Sequence, residues 1–330
     1  MLIIDRYGAA AEALTSALSG TDYISRLERS EEQAGRNAVA LCSVDAALHT
    51  ALYLSGVRAG DYVFVPTYTF YSYIGTVRSM GAVPVFLDCD PITRCMSAAA
   101  LETALTWAEL QNKLPKAAII DNAFGSVADF DTLEPLCKAW GVHTVELCVD
   151  AQRIEHKGKR CGDNCDFGIV AYDKRLPGGG AILICSEDGE ARRFCRLEYS
   201  GGESHDYRMN GYVAALDCAR KAAMQKLTAR ARKNLAAVSN ALDCVISPVS
   251  GDAALFALTK TFGKASELSA HGFEVKHLPP VHTLPMYRDN AFFEHERGYA
   301  VCDTFAQYSL VGMDISTPKR IKLIGLLKNA

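Results

Sequence analysis

The chain has 330 residues, 49% of them apolar, enough to bury a large core and to build one large α/β domain with a smaller one beside it. Lys and Arg total 35 against 38 Asp and Glu, a net charge of −3, which offers no field to gather nucleic acid or anionic lipid. No apolar run approaches the ~18 residues that span a bilayer, and the start MLIIDRYGAAAEA lacks the basic, apolar and small-residue regions of a secretory signal. The expectation is a cytoplasmic protein with no nucleic-acid and no membrane partner.

From Asn37 to Ile184 short apolar runs alternate with helical patterns, the signature of βαβ units around a mostly parallel sheet. Strands are expected at 62–66 (YVFVP), 83–88 (VPVFLD) and 116–121 (KAAIID), with amphipathic helices at 46–56 and 130–141. Ligands of such sheets sit beyond the carboxyl ends of the strands, so the residues that follow these runs are where a site is sought. The stretch from Gly211 to Leu242 contains no further Gly and no Pro and predicts one long helix or two joined ones. Beyond it, ALFALT and FEVKHL are short apolar runs and TPKRIKLIGLL a closing helix. The expected organisation is a large domain over 1–215, then the connecting helix and a small α+β domain over 216–330.

The sequence contains 12 cysteines. Cys42, Cys89, Cys137, Cys148, Cys185, Cys218 and Cys302 fall in apolar segments, as reduced, buried thiols do. Cys161 and Cys165, in CGDNC, are close, but no second Cys or His pair with ligand spacing completes a metal clip. The run Gly178-Gly179-Gly180 alone is weak evidence of a phosphate loop. The basic stretch from His156 to Arg160 reads as solvated surface rather than a nucleic-acid patch.

Four landmarks then occur in order. They are ALCSVDAALHTALYLSGVRAGDYVFVPTYTFYSYIGTVRSMGAVPVFLDCDP, KAAIIDNAFGSVADFDTLEPLCKAWGVHTVE, HDYRMNGYVAALDCARKAA and GFEVKHLPPVHTLPMYR. With these the chain resembles the DegT/StrS family of sugar aminotransferases, which use pyridoxal phosphate (PLP). The resemblance implies a three-layer, fold type I PLP-transferase-like large domain with a mostly parallel mixed sheet of seven strands. It further implies a smaller α+β C-terminal domain and a homodimer with sites at the subunit interface. The activity it implies is transfer of an amino group from an amino acid to a keto-sugar nucleotide, in polysaccharide or antibiotic biosynthesis.

The resemblance also assigns site residues. Lys174, in CDFGIVAYDKRLPGGGA, matches the lysine that holds PLP, in a loop shorter than the family's. Phe70 matches the aromatic that stacks on the ring. In an ungapped register Glu146 matches the family's Glu, Leu147 falls where the pyridine-binding Asp belongs and Asp150 where a Gln belongs. A slip of three residues would put Asp150 and Gln152 in those roles instead. Ser43-Val44-Asp45 replaces the Ser-Gly-Thr of the phosphate cup, Ala171 replaces a phosphate-binding Ser, and Asp206 replaces an Asn donated by the partner subunit. His282 and Tyr287 fall where the family approaches substrate. Two unit charges ~5 Å apart at an effective dielectric of ~20 repel by roughly 3 kcal/mol, so acids at 45 and 206 would work against the phosphate.

Three readings follow. One is a homologue that has lost or weakened PLP binding and can pair with an active paralogue. The second is a working aminotransferase using Lys174, Asp150 and Phe70, and the third is cofactor-free sugar chemistry in the same cleft.

Overall fold

The computed structural model describes residues 2–32, 35–122, 125–149, 155–171, 179–186, 188–195, 205–243, 245, 256–261, 263–287, 298–313 and 315–328. Helices α1 (Leu2–Leu18) and α2 (Tyr23–Arg29) lead in, and Asp22 caps α2 by accepting the Ser25 N–H. The core then alternates as the apolar runs require: β1 (Asn37–Leu41), α3 (Val44–Leu54), β2 (Tyr62–Pro66), α4 (Tyr71–Ser79), β3 (Val83–Leu87), α5 (Ala98–Leu110), β4 (Ala117–Asp121), α6 (Phe130–Ala139) and β5 (His143–Cys148). A two-stranded hairpin follows, β6 (Glu155–His156) and β7 (Lys159–Arg160), whose turn places Lys157 and Gly158 at positive φ. Strands β8 (Phe167–Ala171) and β9 (Ala181–Cys185) and helix α7 (Asp188–Cys195) complete this part.

Seven strands pair in the order β1-β9-β8-β5-β4-β2-β3. The four contacts from β8 to β3 are parallel, and β9 runs antiparallel to both its neighbours. This is the mixed sheet expected. Parallel strands are covered on both faces, and β4, β8 and β9 are buried at every residue. Helix α3 packs across β1, β8, β9 and β5, while α5 and α6 pack on each other and reach β3 and β5 respectively.

Helix α8 (Gly211–Ser239) is a single rod, capped by Asn210, whose side chain accepts the Tyr212 N–H. The expected domain limit at 215 therefore falls inside its first turns. Helices α1 and α2 pack on its side. Beyond it, β10 (Phe256–Lys260), α9 (Ala265–Ala270), β11 (Val275–Lys276), α10 (Ala300–Phe305), β12 (Tyr308–Gly312) and α11 (Thr317–Lys328) build the C-terminal part around an antiparallel sheet ordered β10-β12-β11. Buried Asn234 stitches α8 to it, donating through Nδ2 to the carbonyls of Met313 (2.9 Å) and Ile315 (2.7 Å).

Of the cysteines expected to be buried, Cys42 is exposed and Cys218 half-buried, while Cys89, Cys137, Cys148, Cys185 and Cys302 are inside. No helix among the described residues is long and apolar enough to cross a membrane.

Candidate functional site

The parallel strands β2, β4, β5 and β8 place their carboxyl ends along one edge of the sheet, the edge where open α/β sheets hold their ligands. At the start of α3 the Ser43 hydroxyl accepts the Ala46 N–H at 3.0 Å. Ser43 is thus the N-cap, and Asp45 sits in the first turn with an exposed carboxylate. Asp45 accepts a long 3.4 Å hydrogen bond from Thr76 Oγ1 on α4. The helix N-terminus still presents the partial positive charge that attracts anions, but one acid stands beside it.

The segment from His205 to Asn210 runs along the end of β1, with the Cys42 N–H donating to the Tyr207 carbonyl at 2.9 Å. Asp206 receives both arms of the Arg208 guanidinium, at 2.8 and 2.9 Å, and this pairing holds its carboxyl below the usual range. The acid is therefore not a bare charge within this chain. The two residues line a cavity of about 530 Å³ together with Asp22, Ser25 and Asn210. Gly180, at φ +90°, enters β9 so close to β1 that a Cβ would stand 2.7 Å from the Leu41 carbonyl oxygen.

Phe70 is half-buried at the N-terminus of α4, with Tyr73 edge-on at 5.8 Å. Leu147 is fully buried, and the β4–β5 register runs without a break from Ala117↔His143 to Asp121↔Leu147. The alternative alignment, with Asp150 and Gln152 in the roles, falls on residues beyond the described part of β5. Lys174, Asp150 and Gln152 lie outside the described residues. Ala171 ends β8, buried and paired with Ala181.

His282 bridges the two parts of the chain. Its Nδ1 meets Thr67 Oγ1 at 2.6 Å, its Nε2 meets Asp303 Oδ1 at 3.0 Å, and Tyr299 stacks on it at 4.2 Å. Tyr287 is buried edge-on to Phe86. The two residues assigned to substrate thus make structural contacts here. Replacing His282 by Ala is expected to cost about 2–3 kcal/mol, from two lost hydrogen bonds and a ring contact. Urea unfolding of the variant checks this, and a loss under 1 kcal/mol would contradict the bridging role.

Sequence reasoning gave no role to two acids at strand ends, Asp88 and Asp121, and named a third, Glu146, only by its match to the family. Asp88, just after β3, accepts the N–H groups of Val301 (3.0 Å) and Cys302 (2.9 Å) and so caps α10 across the domain seam. Asp121, the last residue of β4, is 3% exposed and accepts the Thr69 hydroxyl at 2.6 Å. Glu146 is fully buried and receives Asn122 Nδ2 (2.8 Å), the Asn164 N–H (3.0 Å) and Asn164 Nδ2. Burial pushes its carboxyl pKa up. The available signal was an acid at or near the end of an apolar run.

Cys161 lies not with Cys165 but with Cys148 and Glu146, whose ligand atoms are within 4.8 Å of one another. The two thiols and the carboxyl share hydrogen bonds with Asn122.

PLP requires an aromatic face, an acid for its ring nitrogen, donors for its phosphate and a lysine. When bound it supplies an electron sink for the carbon that gains or loses the amino group. Among the described residues the aromatic candidate is Phe70, and the residue before it, Thr69, donates to the buried Asp121 carboxylate. At the phosphate end they offer a helix N-terminus whose fit is reduced by Val44 and Asp45.

Comparison with known proteins agrees. The pattern of the DegT/DnrJ/EryC1/StrS aminotransferase family matches residues 10–252. EpsN of Bacillus subtilis (strain 168), which carries the name of a pyridoxal phosphate-dependent aminotransferase, is 30% identical over 84% of this chain and 78% of its own length. GDP-perosamine synthase of Escherichia coli O157:H7 is 25% identical over 81% of this chain and 79% of its own. Among solved structures, a DegT/DnrJ/EryC1/StrS aminotransferase from Brucella abortus superposes with a TM-score of 0.87 at 19% identity, covering 98% of this chain and 95% of that one. DesV of S. venezuelae gives 0.84 at 21% identity, covering 98% and 94%. The chain belongs to the DegT/DnrJ/EryC1/StrS aminotransferase family, whose cofactor is PLP.

Proposed function

We propose that this chain is a family member of nucleotide-sugar or polysaccharide biosynthesis that keeps the ring half of the PLP cleft and holds the cofactor loosely at its phosphate. The observation that carries this is the first turn of α3, where Ser43 is occupied as a cap and the Asp45 carboxylate is exposed beside the helix N-terminus. An acid there opposes the anion that the helix dipole would attract. Asp206 adds less repulsion than its charge suggests, because Arg208 neutralises it.

The second reading, a working aminotransferase for a keto-sugar nucleotide, is favoured by Phe70 and by the buried acid Asp121 nearby. A homodimer is part of both readings. Tyr71 and Met286, each more than half exposed at the ends of segments flanking the cleft, support it, as exposed large apolar side chains do when they adjoin a functional site.

The test is titration of the full chain with PLP, followed by its visible absorbance and by thermal shift, with Lys174→Ala in parallel. The expected affinity is weak, with a Kd of about 10 μM or higher, and the visible band is expected to vanish in the lysine variant. A submicromolar Kd, with transamination of a keto-sugar nucleotide by glutamate, would replace the first reading by the second.

A further inference from the structure

We propose that Glu146, Cys148 and Cys161 together form a binding site for one thiophilic divalent cation of the zinc class. The site does not depend on whether PLP binds. Neither the spacing of the cysteines nor the family resemblance points to it, because the fold exchanges the sequence neighbour Cys165 for Cys148.

Two segments deliver the ligands. Residues two apart in a strand share a face, so Glu146 and Cys148 project from the same side of β5. Cys161 directly follows β7, and the next residue, Gly162, runs at φ +100°. A Cβ on Gly168 of β8 would overlap the Gly162 carbonyl oxygen, so glycine at 168 lets this turn press against the sheet and hold Cys161 beside Cys148. The three ligand atoms lie within 4.8 Å of one another, and all three residues are buried.

The chemistry of the set selects the ion. Two thiols and one carboxyl suit zinc and its relatives, whereas magnesium and calcium take oxygen ligands. With Zn–S at about 2.3 Å and Zn–O at about 2.1 Å, a tetrahedral centre separates sulfur from oxygen by about 3.6 Å. Cys148 Sγ and Glu146 Oε1 stand 3.3 Å apart. Asn122 Nδ2 marks the point where the lone pairs converge, at 2.8 Å from Glu146 Oε1 and 3.5 and 3.6 Å from the sulfurs of Cys148 and Cys161. An amide nitrogen has two hydrogens for these three atoms, whereas a cation would meet all of them once the Asn122 side chain turns aside. Burial pushes the pKa of Glu146 and of Cys148 up. A divalent cation is the partner that lets such groups ionise, each thiol passing its proton to solvent as its bond to the metal forms. Asn164 marks an approach, for it donates to both Glu146 oxygens and also lines a cavity of about 270 Å³ with Phe130, Glu134, Lys157 and Lys159. The bound ion would close the chain from Cys148 to Cys161 into a loop, the segment that carries Asp150 and Gln152.

The experiment titrates the full chain, metal-free and with its thiols reduced, with cobalt(II) and then with zinc(II). One cobalt per chain is expected, with the visible bands of a tetrahedral centre and a near-ultraviolet thiolate-to-metal charge-transfer band. Zinc is expected to displace the cobalt and to raise the unfolding temperature. Cys148→Ser and Cys161→Ser are each expected to remove most of the charge-transfer band and to weaken binding by about a hundredfold or more, the upper end of what the supporting partners of a ligand contribute. Glu146→Gln is expected to keep the band and to weaken binding by about tenfold or more. Cys165→Ser, which alters the sequence neighbour instead, is expected to leave band and affinity unchanged. A wild type without a thiolate band overturns the proposal, and so does a band that survives in both Cys148→Ser and Cys161→Ser. Urea unfolding of the metal-free variants checks that they fold, with alanine in place of serine where one does not.

Discussion

Replacing Val44 by Gly and Asp45 by Thr together is expected to tighten PLP binding by about ten- to a hundredfold. The N-terminus of α3 is an anion site by construction, since its first N–H groups have no partner within the helix and the dipole is positive there. Ser43 already satisfies the Ala46 N–H, so the remaining attraction rests on the backbone around 44 and 45. A valine at 44, half-buried against the core, limits how closely a phosphate reaches that backbone, and Gly removes the obstacle. Removing the Asp45 charge removes a repulsion of roughly 1–3 kcal/mol at surface-like dielectrics. The same substitution forgoes about 0.3–1 kcal/mol of favourable acid–dipole interaction, so the free chain is expected to melt slightly lower while the complex binds more tightly. Salt gives a second readout. Screening weakens the repulsion, so the double variant is expected to gain less than the wild type when PLP is titrated at rising ionic strength. Unchanged affinity in the double variant would mean that the phosphate sits elsewhere.

The largest stability effect is expected at Glu146. Its oxygens accept from Asn122 and Asn164, and the Cys148 thiol donates to it at 3.3 Å. Truncation to Ala would leave these buried donors without an acceptor, and about 3–5 kcal/mol of stability should be lost. The pH dependence has a definite sign. Burial raises the folded pKa above the reference value of 4.5. Below that value the carboxyl is neutral in both states. As pH rises from there through the folded pKa, the unfolded chain releases its proton more readily and this contribution to stability falls away. The gap between wild type and Glu146→Ala, measured by urea unfolding, is therefore expected to be widest near pH 4.5 and to narrow toward neutrality. A gap that widens with pH would show that hydrogen bonding, not desolvation, governs this carboxyl.

The strands were the most legible features, because an apolar run bounded by turn residues leaves little choice of element. Tyr62–Pro66 falls where YVFVP predicts, and the long helix ends within three residues of its expected limit. The hairpin at 155–160 was implied by the family resemblance rather than by its charge. What the sequence concealed were pairings across strands. Nothing local to Asp121 reveals that Leu147, 26 positions further on and across helix α6, is its register partner. Cys161 was read with its sequence neighbour Cys165, whereas the fold brings it to Cys148. The Asp206–Arg208 pair, by contrast, could have been anticipated, because residues two apart in extended backbone share a face.

The polar seam formed by Asp88 with α10 and by Thr67 with His282 bears on how the two parts of the chain meet. Directional bonds fix orientation, whereas an oily contact would tolerate sliding. The C-terminal part is therefore pinned to the residues that follow β2 and β3 at fixed points, and an engineered change at either anchor is expected to alter how the two parts are aligned and not only how firmly they adhere.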